Sequence, residues 1–583
     1  MPSLPESIVY AYTHETTQAT TGYFSCRPPA DLTLPQALER LEATPFDDFL
    51  RQHCLRQLGC RPLDELKALA GEAYEAGTDS FPRPALAALL LECALLVPEL
   101  APCCDAFPAD ARQRLAQASS LIYLRAACRE DFELMQAWSA RFADNIARHH
   151  MLPHWDELEL PLPYAREALA ACREELRARS GLLAREHARM RAQELPRVER
   201  RPAQETFEQA VNALLENDIL AGQEMRHQAS LSPIALLRAW KVELTVECGR
   251  MRHSLHGEAT AYGRGLSLAA TRASYAMEIV ERASSYVSVA RGGGQACEVT
   301  ERRRPMPLLH ASCAALRARG REFLPLSALP LEAPLEPDVP LYWLEARDPD
   351  DKSVLVPAQA VFLFCNLDEP SLFLAGGSTG LASGNTVAEA RLAALTEIVE
   401  RDAEATTPFG REGCFVLRSR DERLQALLDD YAARGIQVQF QDITTELGVP
   451  VYRCFVMSRR GEVAQATGAG LCGSRAALAA LTEVPWPYPY GEPTGPALGG
   501  LPVRWLEELP DYSLPSAEAS CRLLEEVLRA QGRTPLYVDI SRRDLGLPVV
   551  RALVPGLELT ADFDRFSRPS LRLLARYMAR WQA

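Results

Sequence analysis

The residues with the clearest chemical potential form a five-residue sequence that occurs twice. Glu278-Ile279-Val280-Glu281-Arg282 recurs letter for letter, 119 residues later, at 397–401. In each copy the two carboxylates are three residues apart and the arginine is four after the first, so on a helix all three share one face. On a single solvated helix this pattern is an ordinary surface salt bridge. Two identical copies in one chain favour a functional site instead.

A longer repeat surrounds these residues. Thirteen positions before the first glutamate of each copy stands a glycine, followed two positions later by Ser or Thr: Gly265 with Ser267, and Gly384 with Thr386. A third, partial copy repeats Leu392–Glu397 at 478–483, again thirteen positions after a glycine. The spacing predicts three strand–glycine turn–helix units built on one plan.

Pseudo-symmetric packing of the first two units would bring four glutamates to one pocket: Glu278, Glu281, Glu397 and Glu400. Carboxylates at such close range repel one another unless cations lie between them. Mg²⁺ suits this arrangement, because it binds through one or two carboxylates together with substrate phosphates. The planar guanidiniums of Arg282 and Arg401 match phosphate oxygens bidentately. We therefore expect a Mg-nucleotide site.

No standard nucleotide motif accompanies these residues. The chain lacks G-x-x-x-x-G-K-[ST] and the protein-kinase motifs, which excludes an ordinary P-loop or protein kinase. A glycine-rich stretch at 376–385 could approach a nucleotide closely. Within it, Asn385 with Glu389 one turn further on carries more weight than the glycines.

Composition and charge bound the class of protein. The formal net charge of −14 argues against attraction to nucleic acid or to anionic membranes. No secretory signal is visible at the start, and the most apolar stretch, 84–100, contains Glu92 and Pro98, so it predicts a buried helix and not a membrane span. The 16 cysteines are scattered without C-x-x-C. We expect free thiols in a cytoplasmic protein.

Two regions differ in pattern. Residues 1–224 are predicted to be mainly helical after a strand pair at 8–12 and 22–26, and their role is open between partner or leader-peptide binding and structural support. Residues 225–583 have α/β composition. Strand-like runs alternate there with helices at 421–434 and 517–531; the runs are 354–356, 361–365, 436–440, 449–456 and 549–554.

In combination these residues resemble the YcaO family over about 225–583. The run Gly263–Arg282, with Ser274, Glu278 and Glu281, is similar to its first ATP-site motif, and Ser378–Asp402 is similar to its second. Shorter similar segments are Val356–Ala358, Val449–Val451 and Gly546–Gly556. The resemblance implies a YcaO-type domain with repeated strand–helix units, preceded by the helical N-terminal region.

Members of this family use ATP to phosphorylate the oxygen of a peptide-backbone amide. A Cys, Ser or Thr side chain then gives an azoline, an external sulfur donor gives a thioamide, or an amine gives an amidine. The resemblance implies ATP and Mg²⁺ as cofactors. It implies Mg²⁺ ligands at Glu278, Glu281, Glu397 and Glu400. It implies ATP contacts at Arg264, Ser274, Arg282, Asn385, Glu389 and Arg401. It identifies no separate catalytic residue.

Three departures separate the chain from the family pattern. Arg264 stands where the first motif often has lysine, and the chain does not end in the Pro-x-Pro-x-Pro of many azoline-forming members. After Glu483 the family's Gln and nearby Arg are absent, and Pro485, Pro487 and Pro489 prevent the helix from continuing. The aromatic residues of this segment either offer a face to adenine or to a peptide, or belong to a turn that has lost the family's contacts.

The leading hypothesis is an ATP-dependent enzyme that activates a peptide or protein backbone amide, as in the maturation of ribosomally made peptides, with thioamide-type or accessory chemistry ahead of azoline formation. A catalytically impaired YcaO scaffold that binds a peptide or a partner is the alternative, and a small-molecule amide substrate is a third. We expect a peptide or protein substrate and neither nucleic acid nor membrane. A sulfur-donor or leader-binding partner and a homodimer stay open.

Overall fold

The N-terminal part of the chain is mainly helical, as predicted. The computed structural model describes residues 7–15, 23–292, 297–300, 305–363, 366–373, 377–559 and 563–580. Two strands come first, β1 (Ile8–Glu15) and β2 (Tyr23–Arg27). Ten helices follow: α1 (Leu34–Ala43), α2 (Asp48–Leu58), α3 (Leu63–Ala73), α4 (Pro84–Leu96), α5 (Ala109–Ala118), α6 (Ile122–Ala127), α7 (Phe132–Arg148), α8 (Arg166–Arg179), α9 (Leu182–Arg191) and α10 (Ala203–Glu216).

Strands and helices alternate in the rest of the described chain, which confirms the predicted α/β character. The first half contains β3 (Leu220–Arg226), β4 (Ile234–Cys248), β5 (Met251–Gly265), α11 (Leu268–Ser285), β6 (Val289–Arg291), β7 (Cys297–Val299), β8 (Met306–Ser312), α12 (Cys313–Ala318), β9 (Pro340–Arg347), β10 (Ser353–Pro357), β11 (Leu381–Ser383) and α13 (Val387–Thr406). The second half contains β12 (Cys414–Arg418), α14 (Glu422–Ala433), β13 (Gln439–Asp442), β14 (Val451–Met457), β15 (Val463–Ala469), α15 (Gly473–Glu483), β16 (Val503–Trp505), α16 (Ala517–Ala530), β17 (Leu536–Asp539), β18 (Val549–Leu553) and α17 (Leu571–Ala579).

Two sheets organise these strands. The larger one has the order β11-β18-β17-β9-β8-β7-β6-β4-β5-β1-β2, with β10 paired to β9 and β3 to β4. The smaller one has the order β15-β14-β13-β12-β16. In the larger sheet β4 and β5 form a long antiparallel hairpin, and β11 pairs with β18 so that Leu381 lies opposite Arg551. The short strand β11 thereby leads directly from the sheet into α13.

Contacts cross the composition change near residue 225. Strand β1 pairs in parallel with β5, with Ile8 opposite His253. The C-terminal helix α17 packs on the N-terminal helices α7 and α8, where Trp138, Phe142 and Tyr577 share one apolar cluster. The N-terminal region therefore contributes to both ends of the strand-rich region. The boundary at 224/225 stays a prediction based on composition.

The three predicted units are β5–α11, β11–α13 and β15–α15. The Ser267 and Thr386 hydroxyls accept hydrogen bonds from the backbone N–H groups of Ala270 (3.3 Å) and Glu389 (3.1 Å), so both cap their helices. Strand and helix approach closely in the first and third units. A Cβ on Gly263 would lie 2.0 Å from the carbonyl oxygen of Thr271, and one on Gly468 would lie 2.3 Å from that of Ala476.

Two local expectations were wrong. The predicted strand at 361–365 is not formed in its described part: a 3₁₀ turn at Ala358–Ala360 precedes it, and Leu363 makes one isolated bridge to Tyr286. Residues 364 and 365 lie outside the described residues. Residues 361–363 are buried, and a buried loop and a buried strand have the same short apolar run.

The expectation of free thiols fails for one pair of cysteines. Cys248, at the end of β4, and Cys297, in β7, are joined in a disulfide with their Cα atoms 5.8 Å apart. Strand β6 lies between these two strands and pairs with both of them, which brings the two cysteines together. The other 13 described cysteines have free thiols. No described helix is long and apolar enough to cross a membrane.

Candidate functional site

Helices α11 and α13 place the two copies of Glu-x-x-Glu-Arg on either side of β11. The Ser383 hydroxyl, at the end of β11, donates to the carbonyl oxygen of Met277 in α11 (2.9 Å). The first glutamate of each copy accepts a backbone hydrogen bond: Glu278 from the N–H of Tyr262 (3.0 Å) and Glu397 from the N–H of Gly380 (3.2 Å). Both copies are therefore tied to the strands that precede their helices.

The carboxylates of the two copies lie close enough to interact. Burial, and then the neighbouring Glu397 and Glu278, raise the pKa of Glu281 to about 8, although Arg282 opposes this shift. Burial likewise raises the pKa of Glu397, against the effect of Arg401 and Arg282. The side chain of Glu281 is only 16% exposed. A group of partly desolvated carboxylates with raised pKa values attracts cations.

The glutamate of the third unit extends this group. Glu483, the last residue of α15, lies within electrostatic reach of Glu278 and Glu397 and of two cations, Arg264 and Arg401. Burial raises the pKa of Glu400 to about 7, with Arg401 opposing and Glu483 contributing to the rise. The partial third copy therefore contributes its single glutamate to the same site.

Arg282 and Arg401 line the site and form ion pairs of 3.4 to 3.8 Å with its carboxylates. Arg282 lies 3.8 Å from Glu278 and 3.4 Å from Glu281. Arg401 lies 3.8 Å from Glu400, and its closest ion pair is with Glu404, at 2.8 Å. Their side chains are 25% and 35% exposed. Both guanidiniums can therefore reach an anionic ligand.

Strand β15 of the third unit holds Glu400. The Thr467 hydroxyl donates to one carboxylate oxygen at 2.9 Å, and the backbone N–H of Ala469 donates to the other at 3.0 Å. Sequence spacing inside the second copy gave no sign of these partners. They come from a strand more than 60 residues further along the chain.

Asn385 and Glu389 lie at the start of α13 and contact the N-terminal region. The carboxylate of Glu389 accepts from the backbone N–H of Asn385 (2.9 Å). The side-chain oxygen of Asn385 accepts from the Thr206 hydroxyl (3.1 Å) and from Arg201 (3.4 Å). Thr206 belongs to α10, and Arg201 precedes that helix. Sequence reasoning missed both residues, and the cluster of arginines at 197–201 was the only available signal.

The remaining predicted residues are less connected. Arg264, at the end of β5, lies 5.9 Å from the ring centre of Tyr262 and interacts electrostatically with Glu483. Ser274 is exposed on α11, one turn before Glu278. The hydrogen bonds and ion pairs of the described residues do not connect Ser274, Asn385 or Glu389 with the carboxylate group. The structure thus brings the four repeat glutamates, both repeat arginines and Arg264 together.

Two further charged residues border the site. Asp402, directly after Arg401, is fully buried and forms a two-pronged ion pair with Arg572 of α17. Asp402 also accepts from the backbone N–H of Glu558 (2.9 Å). Arg551 of β18 lies among Glu397, Arg282 and Glu281. Asp402 and Arg551 were visible as parts of the resemblance, but their spacing assigned them no role.

The proline-rich segment after Glu483 packs on α14. The Trp486 indole donates to the carbonyl oxygen of Glu492 (3.0 Å), and the Tyr488 hydroxyl donates to Asp430 (2.6 Å). The Tyr488 ring meets that of Tyr431 edge-on at 4.8 Å. Tyr490 is 79% exposed. These contacts favour the hypothesis of a structural turn over that of an aromatic face for a ligand.

The residues present fit a bound Mg-nucleotide. Among the described residues no three His, Cys, Asp or Glu side chains form a metal-binding cluster by themselves. Mg²⁺ usually takes one or two carboxylates and completes its shell with phosphate oxygens and water. The carboxylates of Glu281 and Glu397, whose pKa values are raised by burial despite the nearby arginines, offer such ligands. Arg282 and Arg401 offer the forked donors that phosphates accept.

Comparison with known families agrees with this chemistry. A family model described as YcaO cyclodehydratase, with ATP and Mg²⁺ binding, matches residues 262–485 and 492–558. The chain belongs to the YcaO family. ATP and Mg²⁺ are accordingly its cofactors. The matched ranges contain all the predicted site residues and exclude the N-terminal helices.

Two curated relatives resemble this part of the chain. An uncharacterised protein of Methanothermobacter thermautotrophicus is 31% identical over 264 residues, which cover 39% of this chain and 68% of the relative. A protein of Rhizobium leguminosarum bv. trifolii, described as uncharacterised and encoded in the region 3′ of tfuA, is 30% identical over 250 residues, which cover 40% of this chain and 55% of the relative. The similarity thus spans little more than half of the second relative.

The solved structures that resemble this chain have low sequence identity to it. A heterocyclase in complex with substrate and cofactor is 17% identical with a TM-score of 0.48, covering 63% of this chain and 54% of the other. YcaO from Methanopyrus kandleri, bound with AMPPCP and Mg²⁺, is 20% identical with a TM-score of 0.44, covering 63% of this chain and 94% of the other. The heterocyclase TruD is 20% identical with a TM-score of 0.39, covering 52% and 47%.

Proposed function

We propose that this protein is an ATP-dependent enzyme that activates a backbone amide of a peptide or protein for modification. The observation that carries the proposal is the group of repeat glutamates flanked by Arg282 and Arg401, in which burial raises the pKa values of Glu281, Glu397 and Glu400. A cation would lie between these carboxylates, and the partly exposed arginines would bind an anion. Mg-ATP supplies both.

Individual residues have separate roles in this proposal. Glu278, Glu281, Glu397 and Glu400 hold Mg²⁺, which when bound neutralises the phosphate charge. Arg282 and Arg401 bind phosphate oxygens, and Arg264, Ser274, Asn385 and Glu389 position the rest of the nucleotide. Phosphoryl transfer depends mainly on such positioning and charge neutralisation. No covalent intermediate on the protein is needed.

The proposed reaction balances without a further redox partner. A nucleophile adds to the amide carbon and loses its proton, and the amide oxygen attacks the terminal phosphorus of ATP. The bond between that phosphorus and the ADP oxygen breaks, and the phosphorylated oxygen then leaves as phosphate. A Cys, Ser or Thr side chain of the substrate would give an azoline, and an external sulfur donor would give a thioamide.

A catalytically impaired scaffold is the second candidate. The observation in its favour is that α15 ends at Glu483, where the family usually continues with further polar residues. A scaffold would bind a peptide or partner without forming ADP. ATP turnover therefore separates the two candidates.

A thermal unfolding titration tests the nucleotide part. A ligand that binds the folded state raises the melting temperature by an amount that grows with its concentration. We expect Mg-ATP to do this for the wild type and not for Glu397→Ala, whose unliganded form should stay folded. Glu345→Ala, at an exposed position on β9, is the control. An unchanged melting temperature of the wild type in saturating Mg-ATP would contradict the proposal.

Co-expression tests the reaction itself. Short peptides encoded beside the gene would be produced with the wild type or with Glu397→Ala and then weighed by mass spectrometry. Loss of one water indicates an azoline, and exchange of oxygen for sulfur indicates a thioamide. Peptides that bind the protein but keep their mass, with no ADP formed, would support the scaffold.

A further inference from the structure

Arg551 is a buried cation whose hydrogen-bonding capacity is largely unused. It lies on β18, opposite Leu381 of β11, and only 5% of the residue is exposed. Its Nη2 donates to the carbonyl oxygen of Gly377 (2.8 Å). Nε and Nη1 have no hydrogen-bond partner among the described residues. Buried polar groups without partners are rare in native proteins and call for an explanation.

The surroundings of Arg551 place it between the two repeat copies. Its main electrostatic neighbours are Glu397 and Glu281, which attract it, and Arg282, which repels it. Burial lowers the pKa of Arg551 to about 10, so the side chain is still charged at neutral pH. The cation therefore lies next to one proposed Mg²⁺ ligand from each copy.

A purely structural counter-ion would close on a carboxylate. Arg572, for comparison, forms a two-pronged pair with Asp402 at the other side of α13. The ion pairs within 4.0 Å that the described residues form do not include Arg551. Buried charges are normally paired, so a charge that is buried and still lacks a close partner fits a binding role better than a structural one.

The position of Arg551 relative to the other cations suggests which part of the ligand it meets. Arg282 and Arg401 are 25% and 35% exposed, whereas Arg551 is the most deeply buried of the three. Mg²⁺ held by Glu281 and Glu397 would neutralise the charge of the phosphates that take part in phosphoryl transfer. A cation beside two metal ligands is therefore close to the phosphate that is transferred.

We infer that Arg551 binds the terminal phosphate of ATP and is the residue through which the site distinguishes ATP from ADP. The inference rests on the proposed Mg-ATP site and adds to it a residue outside both repeat copies. Its two unused donor groups would be completed by the phosphate oxygens. The forked guanidinium suits this contact better than an ammonium group would.

The test compares the affinities for Mg-ATP and Mg-ADP, measured by isothermal titration calorimetry on the full chain. A hydrogen bond to a charged group corresponds to a loss of about 10- to 100-fold in affinity. We expect Arg551→Gln to weaken Mg-ATP by this factor while Mg-ADP changes less than about 3-fold. Arg551→Lys, which keeps the charge and loses the fork, should give an intermediate loss. Arg347→Gln, at an exposed position on β9, is the matched control.

The outcomes separate this inference from the proposal on which it rests. Wild type that does not bind Mg-ATP overturns both. If the wild type binds Mg-ATP and the Arg551 variants lose affinity for Mg-ATP and Mg-ADP equally, or lose none, the inference alone is overturned. A purely structural role of Arg551 would leave the ratio of the two affinities unchanged. If the Gln variant fails to fold, Arg551→Lys decides: a ratio equal to that of the wild type counts against the inference.

Discussion

The two Glu-x-x-Glu-Arg copies are identical in sequence and differ in how the protein completes them. In the first copy Glu281 has Arg282 as its ion-pair partner, at 3.4 Å, and Ala283 follows. In the second copy the equivalent Glu400 accepts from Thr467 and from the Ala469 N–H, and the residue after the arginine is Asp402. The first copy is left to be completed by a ligand, and the second is partly completed by the fold.

The difference continues one turn further on. Arg401 pairs with Glu404 at 2.8 Å, and Asp402 is bound by Arg572 of the C-terminal helix. In the first copy Ser285 occupies the position equivalent to Glu404. The two copies therefore have identical residues but different structural roles. We expect changes in the second copy to alter both stability and ligand binding, and changes in the first copy to alter binding alone.

The largest expected effect is a loss of stability when Asp402 of the second copy is replaced by alanine. Asp402→Ala leaves Arg572 buried without its main partner, and breaking a buried pair from one side costs about 3–5 kcal/mol of unfolding free energy. The equivalent site in the first copy is already alanine. Urea unfolding of the variant measures the loss.

The double variant Asp402→Ala/Arg572→Leu is the control, because it also removes the positive charge that the single variant leaves unpaired. It should recover most of the lost stability, since apolar replacement of a buried pair is often neutral. Equal losses in the single and double variants would show that the pair is not what anchors α13.

The next effect is on ligand binding. Glu281→Gln should weaken Mg-ATP by about 100-fold, which corresponds to about 2.7 kcal/mol, and leave the unliganded melting temperature unchanged. Glu400→Gln should weaken Mg-ATP and also lower that temperature, because Thr467 and the Ala469 N–H lose a charged acceptor. Calorimetry and thermal unfolding of the same samples give both quantities. If unliganded Glu281→Gln and Glu400→Gln had the same melting temperature, the proposed difference between the two copies would be wrong.

A smaller, pH-dependent effect concerns the strand that holds Glu400. His149, at the end of α7, stacks on Phe409 at 3.7 Å and bonds to Gln465 of β15 at 3.0 Å. Burial, and then the positive charge of Arg453, lower its pKa to about 3. The unfolded chain binds a proton below about pH 6.5, so the stability from this neutral ring is present above pH 6.5 and lost as pH falls towards 3.

At pH 5 this loss amounts to about 2 kcal/mol. We expect His149→Asn, which cannot titrate, to flatten the fall in unfolding free energy between pH 7 and pH 5 by that amount. His150→Asn is the matched control, since His150 is the exposed neighbour. A slope that responds equally to both variants would mean that the docking of α7 on β15 is not the cause.

Some of these features could be predicted from the sequence, and others depended on long-range packing. The repeat spacing predicted the strand–glycine turn–helix units, because the order of strand, turn and helix depends on local sequence, and in the structure Ser267 and Thr386 cap two of these helices. The partners of Glu400 and Asp402 come from distant strands and helices, as does the contact of Thr206 with Asn385. Periodicity within a segment carries no information about such neighbours.

The smallest binding effect is expected in the third unit, where Glu483 is followed by prolines and not by the second glutamate and the arginine of a third Glu-x-x-Glu-Arg copy. Trp486 packs beside α14 and bonds to Glu492. Trp486→Ala should therefore lower stability by about 1 kcal/mol through lost packing of a half-buried side chain and change the Mg-ATP affinity less than about 2-fold. Trp486→Phe, which retains most of the packing, should restore the stability. A large loss of Mg-ATP affinity in Trp486→Ala, at unchanged stability, would instead place this aromatic residue in the nucleotide site and extend the comparison to a third functional copy.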